Sequence, residues 1–347
     1  MIVIVPTFII TLLSIMSLIP IAKKVGLVDV PNSRKLHNGS IPLVGGIAIY
    51  FSIIVYFIVF SQFNIYIVSY IIGASMLLLV GVLDDMYDIR VRYRLIVQFI
   101  SALSVITLSN LYIDYIGNIS VFGDIHMGIA GIVLSVIFFM GNVNSYNMVD
   151  GIDGLLGMIS LISILTLGIF LAQANSEFTA LSFVICVAIV VYLIFNLKLL
   201  NFAPKIFVGD SGAMLLGFTI SWLALLGAYV EHAFKPVTIL YIISVPLIDL
   251  IFNVFNRIRK GQSPIRPQRD HIHHRLMNKG FSSHQTVFII SILAISISVI
   301  GYLGEYFAAS DLTMLLIFVF IIICFSSYFI YTPKIRVMPP KQTSIYK

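Results

Sequence analysis

Hydrophobic residues fill 59% of the 347 positions and charged residues only 10%, a composition that excludes a water-soluble globular enzyme. The formal net charge of +6 would suit nucleic acid, but the excess lies in the connections between long apolar runs, where anionic lipid headgroups attract it. No nucleic-acid partner is therefore expected.

Taken in chain order, eleven apolar runs read as membrane spans, near 1–21, 44–61, 66–83, 94–109, 127–141, 155–172, 178–196, 211–230, 237–256, 285–303 and 312–331. Several reach the ~20 residues that a helix needs to cross ~30 Å of hydrocarbon. The first run has no basic residue before it and Lys23-Lys24 after it, the reverse of a cleavable signal, so it reads as a retained span. An odd count puts the termini on opposite sides. One set of alternate connections holds 20 of the 21 Lys and Arg residues and the other only Lys235, which places the C-terminus in the cytoplasm and the N-terminus outside.

The longest polar interval, Arg257 to His284, is too short to bury a core of its own. The expected fold is thus an all-α polytopic helix bundle, one domain over 1–331 with a cytoplasmic tail over 332–347. Cys186 and Cys324 fall in separate runs without a CxxC pairing and read as packing residues.

Five polar segments, all on the connections assigned to the cytoplasm, carry chemistry. The first runs from Pro31 to His37 and continues as Ile41-Pro42-Leu43-Val44-Gly45-Gly46. It reads either as an ordinary basic connector or as a substrate loop, in which Lys35 and His37 meet phosphate and the glycines let backbone approach a ligand. The second is Asp84-Asp85 at the end of the third run. Adjacent carboxylates repel each other and oppose the dipole at a helix C-terminus, so the pair asks for a cation or a shared proton.

The third segment, Asn142 to Gly154, carries Asn147, Asp150 and Asp153 with no Lys or Arg of its own. On a helix, spacings of three would line these on one face, a set of hard oxygen donors suited to a divalent cation or a hydroxyl-rich ligand. In the fourth, Phe207-Val208-Gly209-Asp210-Ser211-Gly212, an apolar strand-like approach delivers Asp210 to the start of the eighth run. Gly-Asp-Ser-Gly alone is no serine-protease triad, which is defined by geometry. Asp249 lies inside the ninth run, where an ionisable group is by default functional. The fifth segment carries Arg266, Arg269, His271, His273 and His274. Its arginines would repel a transition metal and attract phosphate, so it reads as an anion-binding loop. Carboxylates for a metal and a block of Arg and His for phosphate at one membrane face are the parts that phosphoryl transfer needs.

The set PNSRKLHNGSIPLVGG, LDD, NMVDGIDG, FVGDSG, PLID and RDHIHH, in this order, resembles the polyprenyl-phosphate N-acetylhexosamine-1-phosphate transferases, over about residues 20–285. The RDHIHH segment looks like the WecA and TagO branch, which takes UDP-GlcNAc. The resemblance implies transfer of GlcNAc-1-phosphate from UDP-GlcNAc to undecaprenyl phosphate with release of UMP, requiring Mg²⁺ or Mn²⁺. This would be the first step of a lipid-linked cell-surface glycan such as O-antigen or enterobacterial common antigen, at a bacterial inner membrane. It implies Asp210 as principal metal ligand with Asn147 as a second, and Asp84 as base or activator of the lipid phosphate with Asp85 beside it. Asp150 and Asp153 would serve catalysis or nucleotide contact, Phe207 would stack on uracil, and Arg269, His271, His273 and His274 would bind pyrophosphate. The family fold is a bundle of ten or eleven helices with a groove open to the lipid, and a homodimer is the expected assembly. Two other readings remain: the same reaction on another UDP-N-acetylhexosamine, and a transporter of a phosphorylated anion, for which no repeat is evident.

Overall fold

The protein is described by a computed structural model covering residues 3–31, 39–119, 123–200, 203–259, 261 and 271–331. Among these, the chain runs α1 (Ile4–Val25), β1 (Val28–Asp29), β2 (Ile41–Pro42), α2 (Gly45–Phe60), α3 (Ile65–Tyr87), α4 (Val91–Ser109), α5 (Ile129–Val149) and α6 (Leu155–Gln173). It continues through α7 (Thr179–Asn196), α8 (Gly209–Tyr229), α9 (Thr238–Ile242), α10 (Ser244–Arg259), α11 (Ile272–Met277), α12 (Ser283–Tyr306) and α13 (Asp311–Tyr331). Nine of the described helices, α1, α3 to α8, α12 and α13, are long and apolar enough to cross a membrane. The fold is an all-α membrane bundle, as the composition requires: helices satisfy every backbone group internally where no water can.

The remaining two predicted runs take other forms. The second is the shorter α2, of 16 residues. The ninth, expected as one span over 237–256, is broken: α9 ends at Ile242 and α10 starts at Ser244, because Pro246 has no N–H to continue the ladder. The β1–β2 antiparallel pair also lies outside the all-helical expectation.

Helix α8 forms the axis of the bundle, buried throughout its apolar window and packed by α2, α3, α5 and α6. Lipid is as apolar as Leu, so helices here associate through close packing of small residues. A Cβ on Gly46 would stand 2.2 Å from the Gly212 Cα, and one on Gly81 would stand 2.2 Å from the Ser211 Cα. Glycine at these two positions is what lets α2 and α3 touch the first turn of α8. Deeper in the bundle, Tyr70 bonds Thr219 at 2.8 Å and packs on Trp222 at 4.8 Å between ring centroids. Exposed large apolar side chains concentrate on outer helices such as α1, α12 and α13, the surface that a lipid solvent would cover.

Candidate active site

The polar segments converge where α3, α4, α5 and α8 end or begin. Asp84, buried on the last turns of α3, is paired with Arg94 of α4. The Arg94 guanidinium also reaches to 3.7 Å from Asp210 Oδ2 on the first turn of α8. Asn147 of α5 donates from Nδ2 to Asp210 Oδ1 at 2.7 Å. The Asp210 side chain remains 41% exposed, so this carboxylate faces open space as well as its partners.

Asp85 points to α8. Its carboxylate accepts the backbone N–H of Asp210 at 2.8 Å, the N–H of Ser211 at 3.3 Å and the Ser211 hydroxyl at 3.0 Å. The two carboxylates that would repel each other and oppose the α3 dipole are thus separated: Asp84 takes a guanidinium, and Asp85 satisfies the N–H groups that begin α8. Gly209 is required beside them, since its φ is +77° and a Cβ there would lie 2.4 Å from Asp85 Oδ2.

The approach to α8 is tied to the first polar segment. Phe207 donates its N–H to the Pro42 carbonyl at 2.9 Å, while Gly45 and Gly46 donate to the Phe207 and Val208 carbonyls, each at 3.0 Å. Gly154 and Ile206 are clamped by one buried side chain: Asn196 accepts the Gly154 N–H at 2.7 Å and donates to the Ile206 carbonyl at 3.0 Å.

Helix α5 stops at Val149, and Asp150 occupies its C-cap with residues 151–154 in a turn. Asn147, Asp150 and Asp153 therefore do not share a helical face. The helix ends before the repeat is complete, and Gly154, with φ +81°, already opens α6 as its N-cap. Asp150 and Asp153 are both exposed. Asp153 pairs with Lys205 at 2.5 Å, so the cation missing from its own segment arrives from the approach to α8. The same Lys205 ammonium lies 5.1 Å from the centre of the Phe207 ring.

The histidines of the fifth segment are fixed by Asp249. This carboxylate, buried in α10, accepts from His271 Nδ1 at 2.7 Å and from the Ile272 N–H that begins α11 at 2.9 Å. Asn253, one turn along α10, donates to Asp249 Oδ1 at 3.0 Å. His273 is buried against the third segment, where a Cβ on Gly151 would meet its Nε2 at 2.1 Å. Burial, then its neighbours His274 and His271, push the His273 imidazole down to about 3, and neither ring nitrogen has a hydrogen-bond partner among the described residues. That downward shift favours a neutral ring, whose N–H has no partner among the described residues.

An apolar cavity of about 380 Å³ opens between α5, the connection at 113–119 and the broken α9–α10 pair, lined by Leu134, Phe138, Leu240, Ile243 and Leu247 among others. Lys35, His37 and Arg269 lie outside the described residues. The other ten candidates sit at this end of the bundle in three groups: Asp84, Asp85, Asp210 and Asn147; Asp153 and Phe207 about Lys205, with Asp150 at the neighbouring turn; and His271, His273 and His274. Sequence reasoning missed Arg94 as the partner of Asp84, and Asn196 as the clamp. Arg94 stood as one of three alternating arginines, and only its helical spacing of four from the polar Gln98 marked it as inward. Gln98 and Asn144 bond each other, with Asn144 Nδ2 donating to Gln98 Oε1 at 2.7 Å.

Among the described residues no group of three His, Cys, Asp or Glu adopts metal-ligand geometry. The donors at Asp210 and Asp84 are nonetheless hard oxygens, and Mg²⁺ is commonly held by one or two carboxylates plus substrate phosphates rather than by a full protein cage. The residues present fit such an ion at the exposed Asp210 carboxylate. As placed, Asn147 turns its amide nitrogen to Asp210 and so orients that carboxylate.

The sequence model of glycosyl transferase family 4 matches residues 67–228, the stretch that carries Asp84, Asp85, Asn147, Asp150, Asp153 and Asp210. The chain is 36% identical over 287 residues to the undecaprenyl-phosphate alpha-N-acetylglucosaminyl 1-phosphate transferase of Yersinia pestis, covering 82% of this chain and 79% of that protein. It is 37% identical over 324 residues to the protein of the same name from Pasteurella multocida, covering 92% and 90%. The Escherichia coli K12 protein of that name is 36% identical over 288 residues, covering 82% and 78%. The matched stretch and the cluster at the start of α8 coincide, and the chain belongs to glycosyl transferase family 4, among the polyprenyl-phosphate sugar-1-phosphate transferases that its motifs resemble.

Proposed function

We propose that the chain transfers GlcNAc-1-phosphate from UDP-GlcNAc to undecaprenyl phosphate. An oxygen of the lipid phosphate forms a bond to the β-phosphorus of UDP-GlcNAc, the bond from that phosphorus to the bridging oxygen breaks, and UMP leaves with the electron pair. The observation that carries this is the Asp84–Arg94–Asp210–Asn147 cluster at the helix ends, in a bundle that also holds an apolar cavity along α5 and the α9–α10 pair. A water-soluble nucleotide sugar and a long lipid meet only at the membrane surface, so the reacting groups must stand at helix ends and the tail must have an apolar path.

Arg94 lies between Asp84 and Asp210 and offers charge to the incoming phosphates. Asp85 is a positioning residue that holds the first turn of α8, and with it Asp210. Asp210, oriented by Asn147, is the ligand for Mg²⁺ or Mn²⁺, which when bound neutralises developing charge on the phosphate oxygens. Phe207 offers its ring to the uracil, while Lys205 and Asp153 lie beside it for the ribose and pyrophosphate. His271, fixed through Nδ1 by Asp249, presents its ring to the phosphates, with the His273 ring stacked 6.0 Å from it.

In this reading the active site faces the cytoplasm at a bacterial inner membrane, with eleven crossings, the N-terminus outside and residues 1–331 as one unit, and the distribution of Lys and Arg supports that orientation. The product is then the first lipid-linked sugar of a cell-surface glycan. Purified protein in detergent, given undecaprenyl phosphate, Mg²⁺ and a panel of UDP-N-acetylhexosamines, tests the sugar. UDP-GlcNAc is expected to give the highest kcat/KM, and a higher value for another sugar would reassign the donor. Native mass measurement in detergent tests the homodimer.

A further inference from the structure

The break between α9 and α10 is held by a hydrogen-bonded strut that starts next to the catalytic cluster. Pro246 cannot donate to the carbonyl four residues earlier, which is that of Ile242, the last residue of α9. A carbonyl freed this way inside an apolar bundle needs another donor. Ser163 of α6 supplies it, with Oγ donating to the Ile242 carbonyl at 2.9 Å. The Ser163 hydroxyl is in turn bonded to the Tyr146 hydroxyl of α5 at 2.8 Å. All three residues are buried, Tyr146 and Ser163 at 0% and 2% exposure and Ile242 at 3%.

Tyr146 directly precedes Asn147, which orients Asp210. The other end of the strut meets the break between α9 and α10, and α9, the break and α10 line the apolar cavity through Leu240, Ile243 and Leu247 respectively. We infer that Tyr146 and Ser163 are positioning residues for the lipid acceptor: they fix the break that shapes the wall of the tail cavity and tie it to the catalytic end of α5. This rests on the transfer reading above. Neither hydroxyl touches the reacting atoms. Their effect passes through the shape of the cavity.

The test compares Ser163→Ala, Tyr146→Phe and Ser163→Thr with the unmodified protein, using undecaprenyl phosphate and a short C10 prenyl phosphate as acceptors. Ser163→Ala leaves the Ile242 carbonyl and the Tyr146 hydroxyl without partners. It is expected to lower kcat/KM for undecaprenyl phosphate by about tenfold, the scale of one lost buried hydrogen bond, through KM. The short acceptor, whose tail cannot fill the cavity, is expected to keep its kcat/KM within about twofold, as is UDP-GlcNAc its KM. Tyr146→Phe should show the same pattern more weakly, and Ser163→Thr, which keeps the hydroxyl, should restore the long acceptor. Equal losses on both acceptors would mean a general packing role and overturn the inference, as would an unchanged KM for undecaprenyl phosphate in Ser163→Ala. Absence of lipid-linked sugar from either acceptor with the unmodified protein would instead remove the transfer reading on which the inference rests.

Discussion

Replacing Asp85 by Asn tests whether this carboxylate works through α8. In the folded protein its two oxygens take three donors, the Asp210 N–H at 2.8 Å, the Ser211 N–H at 3.3 Å and the Ser211 hydroxyl at 3.0 Å. An Asn amide keeps one acceptor oxygen, which can still meet the Asp210 N–H, but turns an NH₂ group toward the Ser211 N–H. Two donors then face each other where a charge-assisted bond had been, and such bonds contribute about 1.5–3 kcal/mol each. The α8 terminus must shift to relieve the conflict, and Asp210 is its second residue. A displacement near 1 Å at a reacting group commonly costs about a hundredfold in rate. The expected outcome is a fall in kcat of roughly 30- to 150-fold, about 2–3 kcal/mol, with a raised Mg²⁺ concentration for half-maximal activity and a folded protein in detergent. The assay is UMP release at saturating substrates, repeated across a Mg²⁺ titration. Asp85→Asn activity above half that of the unmodified protein, with an unchanged Mg²⁺ requirement, would refute the positioning role.

Asp210→Asn should abolish transfer while leaving the protein folded, and substantial Mg²⁺-dependent activity in that variant would remove Asp210 from the metal assignment. Asp249→Ala should disorder the start of α11 and leave His271 without its buried partner, lowering kcat/KM for UDP-GlcNAc by at least about tenfold; an unchanged value would show that the histidines need no anchor. Gly81→Ala would drive a Cβ to 2.2 Å from backbone of α8, so a loss of about 1–3 kcal/mol in thermal or denaturant stability is expected, and unchanged stability would count against this contact. The His273 imidazole is held at about 3, below its unfolded value near 6.5, so the unfolded chain takes up a proton there before the folded one does. That residue's stability contribution is present above about pH 6.5 and is lost as pH falls toward 3; His273→Phe should flatten the decline in melting temperature between pH 7 and 4, and an identical decline would contradict it.

Most of the bundle was legible because membrane spans are written as long charge-free runs, and the three carboxylate segments were visible as uncompensated charges gathered at the ends of those runs. What could not be read was pairing across helices. Asp84-Asp85 signalled a missing counter-charge, but its two answers, Arg94 and the start of α8, come from different helices at separations of 10 and about 125 residues. Asn196 carried no mark at all, since one amide in an apolar run looks like any polar helix end until its two backbone partners are known. The ninth run failed as a continuous span for a local reason, Pro246, and the compensating Ser163 sits on another helix. The i, i+3 reading of Asn147, Asp150 and Asp153 failed because α5 ends at Val149 and the chain turns at Asp150 into the N-cap of α6 at Gly154.

The most direct test of the transfer is to follow the two phosphates of the donor separately, with UDP-GlcNAc labelled at the β-phosphate, undecaprenyl phosphate and Mg²⁺, with and without EDTA. The account predicts label in a lipid-linked sugar, unlabelled UMP in the aqueous phase, and loss of both products on chelation. Labelled UDP or inorganic phosphate in solution, or no lipid product from folded protein, would contradict it.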